Sequence, residues 1–317
     1  MKYLKRIFTA LVFLAGLVFL LVVASQIFIP KSNSEEAGME EVNANGFLAE
    51  KENSIDAFFI GDSVLYSSVI PLQIWNDTGY TCYNCGSSGQ RLSYSFTMLQ
   101  RVFENQSPKI VFLEMDAAYR AQESGYILYT AIGEALPVFQ YHDRWKDLNA
   151  DDFYSEVEHD FIVNDKGYEY STRVEACDDD GLNYMAHSLT EERMSIRNKL
   201  CVQLMKWYCD KHDAKLVLIS VPSPANWSYA RHNAISSLAD SLDCDYIDMN
   251  LLTEEIPIDW ETETRDKGDH LNYPGAQKVT AYLTEYLVDS GLLESHKDDP
   301  DYASWDECYE KFMEEVG

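Results

Sequence analysis

Four short apolar runs punctuate the chain. Ile55-Asp56-Ala57-Phe58-Phe59-Ile60 ends in Gly-Asp-Ser, and Lys109-Ile110-Val111-Phe112-Leu113-Glu114 follows Pro108. Lys215-Leu216-Val217-Leu218-Ile219-Ser220-Val221 stops at Pro222 and Pro224, and Tyr246-Ile247-Asp248 is the fourth. Runs this short without polar alternation fit strands buried on both faces. The stretches 92–104, 190–211 and 235–242 between them have helical spacing, and an amphipathic helix is predicted over 277–288. Strands alternating with helices imply βαβ units, hence a parallel sheet with helices on both faces. Ligands of such sheets sit at the carboxyl ends of the strands.

The first thirty residues follow another pattern. Lys2, Lys5 and Arg6 precede an uncharged run from Ile7 to Ile29, closed by Pro30. That run can cross a bilayer as a helix, whereas the apolar part of a secretory signal is usually shorter, roughly 7–15 residues. Val22-Val23-Ala24 is a weak cleavage site, and no cysteine follows the apolar run closely enough for lipid attachment. The basic flank predicts a cytoplasmic start and an extracellular remainder, so residues 1–30 read as a single-pass cell-membrane anchor. Residues 31–51 are polar, broken by Gly38 and Gly46, and read as a linker. Residues 52–293 form the α/β domain, and within it about 117–189 lacks a strand-helix rhythm and reads as an insertion. Residues 294–317 carry nine acids against two lysines and read as a solvated acidic tail.

Composition narrows the partners. The 317 residues contain 25 Lys+Arg and 53 Asp+Glu, a formal charge of −28, with 46% hydrophobic residues. That is globular rather than disordered. A surface so acidic repels phosphate backbones and argues against nucleic acid. Seven cysteines scattered over this length make neither a disulfide framework nor a zinc site. No metal or cofactor is called for.

The candidate chemistry lies at strand ends. Gly61-Asp62-Ser63 directly follows the first strand, where an α/β sheet presents its pocket. Two hundred residues later comes Asp266-Lys267-Gly268-Asp269-His270-Leu271-Asn272, leading into Pro274-Gly275-Ala276. A serine needs a base to remove its proton, a histidine suits that role near neutral pH, and a carboxylate must orient the histidine. The blocks IDAFFIGDSVLY, NCGSSGQ and GDHLNYPGAQKVT occur in that order between about residues 55 and 290, and they resemble blocks of the SGNH/GDSL hydrolase superfamily. The resemblance implies a three-layer α/β/α, flavodoxin-like fold with Ser63 as nucleophile and His270 as base. It further implies an oxyanion hole made by the backbone N–H groups of Ser63 and Gly89.

Two departures bear on that expectation. The family's Gly-x-Asn-Asp block, whose asparagine completes the oxyanion hole, is replaced by Leu113-Glu114-Met115-Asp116-Ala117. The family's aspartate stands three residues before the histidine, where this chain has Lys267. Asp266, four residues before, would face His270 across a helical turn; Asp269 is the alternative.

In the insertion, Phe139-Gln140-Tyr141-His142-Asp143-Arg144-Trp145 is similar to stretches in anchored, external relatives associated with cell-surface acylation. It reads either as a substrate wall or as aromatics packed over the sheet. In the first reading Trp145 or Tyr141 stacks on a sugar, Arg144 holds an anion, and His142 and Asp62 contribute. Trp227, in Asn226-Trp227-Ser228, is a further candidate lining residue. Cys82-Tyr83-Asn84-Cys85 reads as packed thiols on a short strand, and Asp178-Asp179-Asp180-Gly181 as a solvated turn rather than a calcium loop. His159, His187, His212, His232 and His296 have no ligand spacing and read as surface residues.

Two function classes follow. One is a serine esterase or O-acetyltransferase acting through a Ser63 acyl-enzyme on an acylated glycan or cell-wall polymer, with a membrane-bound O-acyltransferase as partner. The other is a non-catalytic surface module of the same fold that binds glycan or that acyltransferase.

Overall fold

A computed structural model describes residues 2–178 and 182–317. Asp179, Asp180 and Gly181, three of the four residues of the candidate calcium turn, lie outside it. The chain divides into two compact units, one of residues 43–122 and 162–317, the other of residues 1–42 and 123–161.

The larger unit is built on five parallel strands: β1 (Ala57–Gly61), β2 (Cys82–Gly86), β3 (Ile110–Glu114), β4 (Lys215–Ser220) and β5 (Asp245–Asp248), in the order β2-β1-β3-β4-β5. This is the flavodoxin-like strand order, whose topological switch point lies between β1 and β3. Side-chain alternation splits each strand between two cores. Phe58, Ile60, Val111, Leu113, Leu216 and Leu218 share one, with α5 (Leu92–Asn105), α8 (Ile196–Lys211) and α9 (Tyr229–Leu242). Ala57, Phe59, Ile110, Phe112, Val217 and Ile219 share the other with α10 (Tyr273–Ser290), and the Phe59 and Phe112 rings stack at 4.5 Å. The result is the three-layer α/β/α fold.

Caps set the helix starts more sharply than spacing predicts. Ser195 Oγ accepts from Asn198 N at 3.1 Å, so α8 begins at Ile196 rather than Thr190. Ser228 Oγ accepts from Arg231 N, so α9 starts at Tyr229 rather than Ile235. Two further helices, α3 (Ser63–Tyr66) and α4 (Pro71–Thr78), lie between β1 and β2.

Two segments expected to be solvated are packed. The expected linker includes α2 (Val42–Asn45) and Phe47, which is fully buried edge-on to Phe58 at 5.4 Å. Glu50 pairs with the buried Lys166 at 2.6 Å. The acidic tail forms α11 (Ala303–Val316), which buries Trp305, Cys308 and Phe312. Trp305 lies 5.7 Å from Trp75 of α4, with Lys166 Nζ 4.5 Å above its ring. Charge counts hid a stripe at i, i+3 and i+7 that makes α11 part of the core.

The expected insertion is two things. Residues 123–161 fall in the smaller unit, while 162–178 and 182–189 return to the larger one. The return runs beside β2, where Asn84 N donates to Lys166 O at 3.0 Å. The smaller unit holds α1 (Lys2–Phe28), α6 (Ser124–Ala135) and α7 (Asp151–Tyr154). The most apolar 18 residues of α1 include no buried residue, and the helix is long and apolar enough to cross a membrane. Arg144 donates to Phe28 O at 2.5 Å and pairs with Asp152 at 2.7 Å, so it closes the carboxyl end of α1.

Candidate active site

The turn after β1 is fixed by burial. A Cβ at Gly61 would stand 2.7 Å from Glu114 Cβ on β3 and 2.9 Å from Leu65 Cβ, so only glycine fits there. Asp62 is completely buried. Its Oδ1 accepts from Val64 N at 3.0 Å and caps α3, and its Oδ2 accepts from Arg120 through Nε at 2.9 Å and through Nη2. Ser63 therefore opens α3 on a rigid turn at the switch point, half-buried, its hydroxyl in none of the described hydrogen bonds.

His270 sits on a closed loop rather than a helical turn. Thr264 and Leu271 form an antiparallel bridge, Arg265 N donates to His270 O at 3.1 Å, and Lys267 and Gly268 take left-handed φ of 63° and 88°. The loop wraps Asp266 around the histidine. Asp266 Oδ1 accepts from His270 N at 2.7 Å, and Oδ2 lies 2.6 Å from His270 Nδ1. The opposite ring nitrogen, Nε2, is buried without a hydrogen-bond partner among the described residues. Asp266 thus faces His270 as expected, though through a bulged loop and not a shared helix face. Asp269 is second, with Oδ2 at 3.7 Å from Nδ1 and Oδ1 accepting from Asn226 Nδ2 at 2.5 Å.

Contacts with three other segments tie this loop down. Arg265 Nη2 donates to Ser67 Oγ at 2.9 Å, and that hydroxyl donates to Ser63 O at 2.6 Å, so the histidine loop is bonded to the turn carrying the serine. Ser223 Oγ, beyond β4, donates to Asp269 O at 2.9 Å. The return of the insertion adds backbone bonds, from Glu175 N to Thr264 O at 3.0 Å and from Lys267 N to Glu175 O at 2.8 Å. None of these ties has a spacing signature in sequence. Asp266, Asp269 and His270 also hold ligand atoms within 4.8 Å of one another, a spacing that suits a cation. Nδ1 is already engaged by Asp266, which is the arrangement of an oriented base.

At the end of β3, carboxylates crowd together. Glu114 accepts from Asp116 N with both oxygens, and Asp116 pairs with Arg120 at 2.9 Å and Arg231 at 3.1 Å. Burial, with Asp62 and Asp116 nearby, holds Glu114 well above the usual carboxylate range. Burial and the neighbouring Asp62 push Asp116 from 3.8 to about 6 against the opposing pull of the two arginines. Both values lie above those of the unfolded chain, so protonation favours the fold. For Asp116 that contribution is complete below about pH 4 and is lost as pH rises through about 6. The shift corresponds to roughly 3 kcal/mol. Asp116→Asn cannot ionise and should flatten the fall of the thermal midpoint between about pH 4 and 7, measured by scanning calorimetry. Parallel profiles for parent and variant would contradict this.

The remaining candidates differ in burial and in the contacts they already make. Gly89, at φ +63°, is exposed in the turn after β2, held by Gln90 Oε1 accepting from Ser87 N at 2.9 Å. Asp62 is too buried to touch a substrate. Trp227 is also removed from the lining: it is 5% exposed and its indole donates to Asp248 at 3.0 Å. Within the smaller unit, Tyr141 is buried against Met39, and Arg144 is already committed to Phe28 and Asp152. His142 and Trp145 are exposed. Cys82 and Cys85 face opposite cores, as an odd spacing on a strand requires, and burial raises both thiols. His232 and His296 are half-buried rather than surface residues, beside Asp248 at 2.9 Å and Asp56 at 3.2 Å.

No family model matches the chain, and no curated protein does. Solved structures similar to it include the psychrotrophic esterase EstA from Pseudoalteromonas, with 10% identity over 74% of this chain and 98% of that one, TM-score 0.40. A lipase/acylhydrolase from Enterococcus faecalis shares 10% identity over 74% and 97%, TM-score 0.39. A GDSL-like lipase from Bacteroides thetaiotaomicron shares 13% over 75% and 89%, TM-score 0.35. All three are named as enzymes of ester bonds. At such identities and scores these likenesses carry no residue role and no substrate. The SGNH resemblance rests instead on the chain's own blocks, which lie on β1 and its turn, on the end of β2 and its turn, and on the loop that leads into α10.

Proposed function

We propose that the chain is a membrane-anchored serine ester hydrolase or O-acyltransferase acting at the cell surface. The observation that carries this reading is His270, held through Nδ1 by Asp266 at 2.6 Å with Nε2 unpartnered, on a loop bonded to the Ser63 turn. His270 takes the Ser63 proton as Oγ attacks an acyl carbonyl, then returns a proton to the departing alcohol. Water or a sugar hydroxyl then removes the acyl group from Ser63. The acceptor proposed is a cell-surface polysaccharide or related polymer, supplied with acetyl groups by a membrane-bound O-acyltransferase. The full chain in mild detergent should turn over a chromogenic acetyl ester. No turnover, together with retained binding of cell-wall glycan, would favour the non-catalytic module instead.

The anchor rests on the 27 residues of α1 and its basic flank. Trp145 and Tyr154 stand exposed in the same unit and are residue types enriched at membrane interfaces. We expect the chain to stay with membranes through an alkaline carbonate wash, with added protease reaching the larger unit in intact cells. Release into the medium of a chain starting near Ser25 would overturn the anchor.

A further inference from the structure

We propose that Arg120 is a catalytic residue whose Nη1 stabilises the oxyanion formed at Ser63. The inference rests on the serine-ester reading above. Attack by Ser63 moves an electron pair onto the acyl oxygen, and that charge needs donors fixed in place beforehand. The end of β3 offers two acids there, Glu114 and Asp116, already engaged as acceptors from Asp116 N and from the two arginines. Arg120 does the opposite. Its Nε and Nη2 are bonded to Asp62, the residue before the nucleophile, and Nη2 also meets Asp116 at 2.9 Å. Those bonds fix the plane of the guanidinium and leave Nη1 without a hydrogen bond among the described residues.

Nη1 has a direction. A Cβ built on Gly89 would have it as its nearest neighbour, at 3.9 Å. The free donor edge therefore faces the open glycine turn after β2, on a side chain bonded to the residue before Ser63. Arg120 is about one-third exposed, so its charge is accessible. Its supports are themselves held: Asp116 is gripped by Arg231, whose guanidinium also lies 4.3 Å over the Tyr119 ring. A guanidinium has five donors in a rigid fork, which lets one edge serve Asp62 and Asp116 and another face the substrate. Lysine, a flexible point charge, could not do both.

The test uses the full chain in detergent with a chromogenic acetyl ester. Arg120→Ala and Arg120→Lys should each lower kcat about a hundred- to a thousandfold with KM changed less than about threefold. Added guanidinium should restore part of the kcat of Arg120→Ala and none of that of Ser63→Ala. A kcat within threefold of the parent would overturn the inference. So would a loss carried by KM alone, which would make Arg120 a holder of a substrate anion. Because Arg120 also supports Asp62, the wild-type chain provides a readout that does not depend on variants folding. Its Arg120 Nη1 resonance, observed with ¹⁵N label, should shift when a fluorophosphonate forms an adduct on Ser63. An adduct with Nη1 unmoved refutes the role of Arg120 alone, whereas failure of Ser63 to react at all refutes the serine-ester reading on which it rests.

Discussion

Ser63→Ala and His270→Ala are each expected to lower ester turnover by about 10⁴-fold or more, with the double variant hardly worse than either single one. Residues that act as one unit lose nearly everything when either is removed. The fold should barely notice. The Ser63 hydroxyl belongs to none of the described hydrogen bonds, and changes away from buried networks usually stay within about 0.5 kcal/mol. His270→Ala deletes the ring contact but leaves Asp266 Oδ1 on the backbone N–H of residue 270. Turnover measured with a chromogenic acetyl ester, beside thermal melting, checks both statements. Substantial activity in Ser63→Ala would exclude the acyl-enzyme and leave a binding module as the better account.

What could be read from the sequence was whatever has a period or a chemical signature. The strands were legible because Phe58, Phe59, Val111, Phe112, Val217 and Leu218 belong to unbroken apolar runs. The serine and histidine were legible because each directly follows a strand or precedes a capped helix within a distinctive block. The pairing of Asp266 with His270 was legible too, but on the wrong geometry: the left-handed Lys267 and Gly268 close a loop where a helical turn was expected. Contacts between distant segments left no such trace. Phe47 is one apolar residue in a polar stretch, and Trp305, Cys308 and Phe312 are three in an acidic one, yet each is buried by partners far away in sequence. Arg120 is equally silent, because its meaning comes from Asp62, 58 positions earlier, and from Gly89 across the turn. Trp227 shows the converse, since an aromatic beside prolines looked like pocket lining and instead bonds Asp248 in the core.

Asp266→Asn should lower turnover by orders of magnitude, whereas Asp269→Asn should have a mild effect. The base needs its ring held with Nε2 toward the serine and its protonated form stabilised while it carries the proton. Asp266 places a carboxylate on the ring, bonding Nδ1 at 2.6 Å, and anchors the backbone of the same residue at 2.7 Å. Asparagine keeps the shape but removes the charge, and its amide can turn an N–H toward Nδ1 and impose the wrong tautomer. Asp269 stands 3.7 Å from Nδ1, beyond hydrogen-bond reach, and spends its other oxygen on Asn226. Its substitution therefore alters a second, weaker charge and one tie between the loops after β4 and before α10. The kcat values of the two variants, measured side by side with the chromogenic acetyl ester, separate the two roles. A reversed order of effects would assign the orienting role to Asp269. Near-parental activity in both variants would mean that a backbone carbonyl holds Nδ1 in the working enzyme.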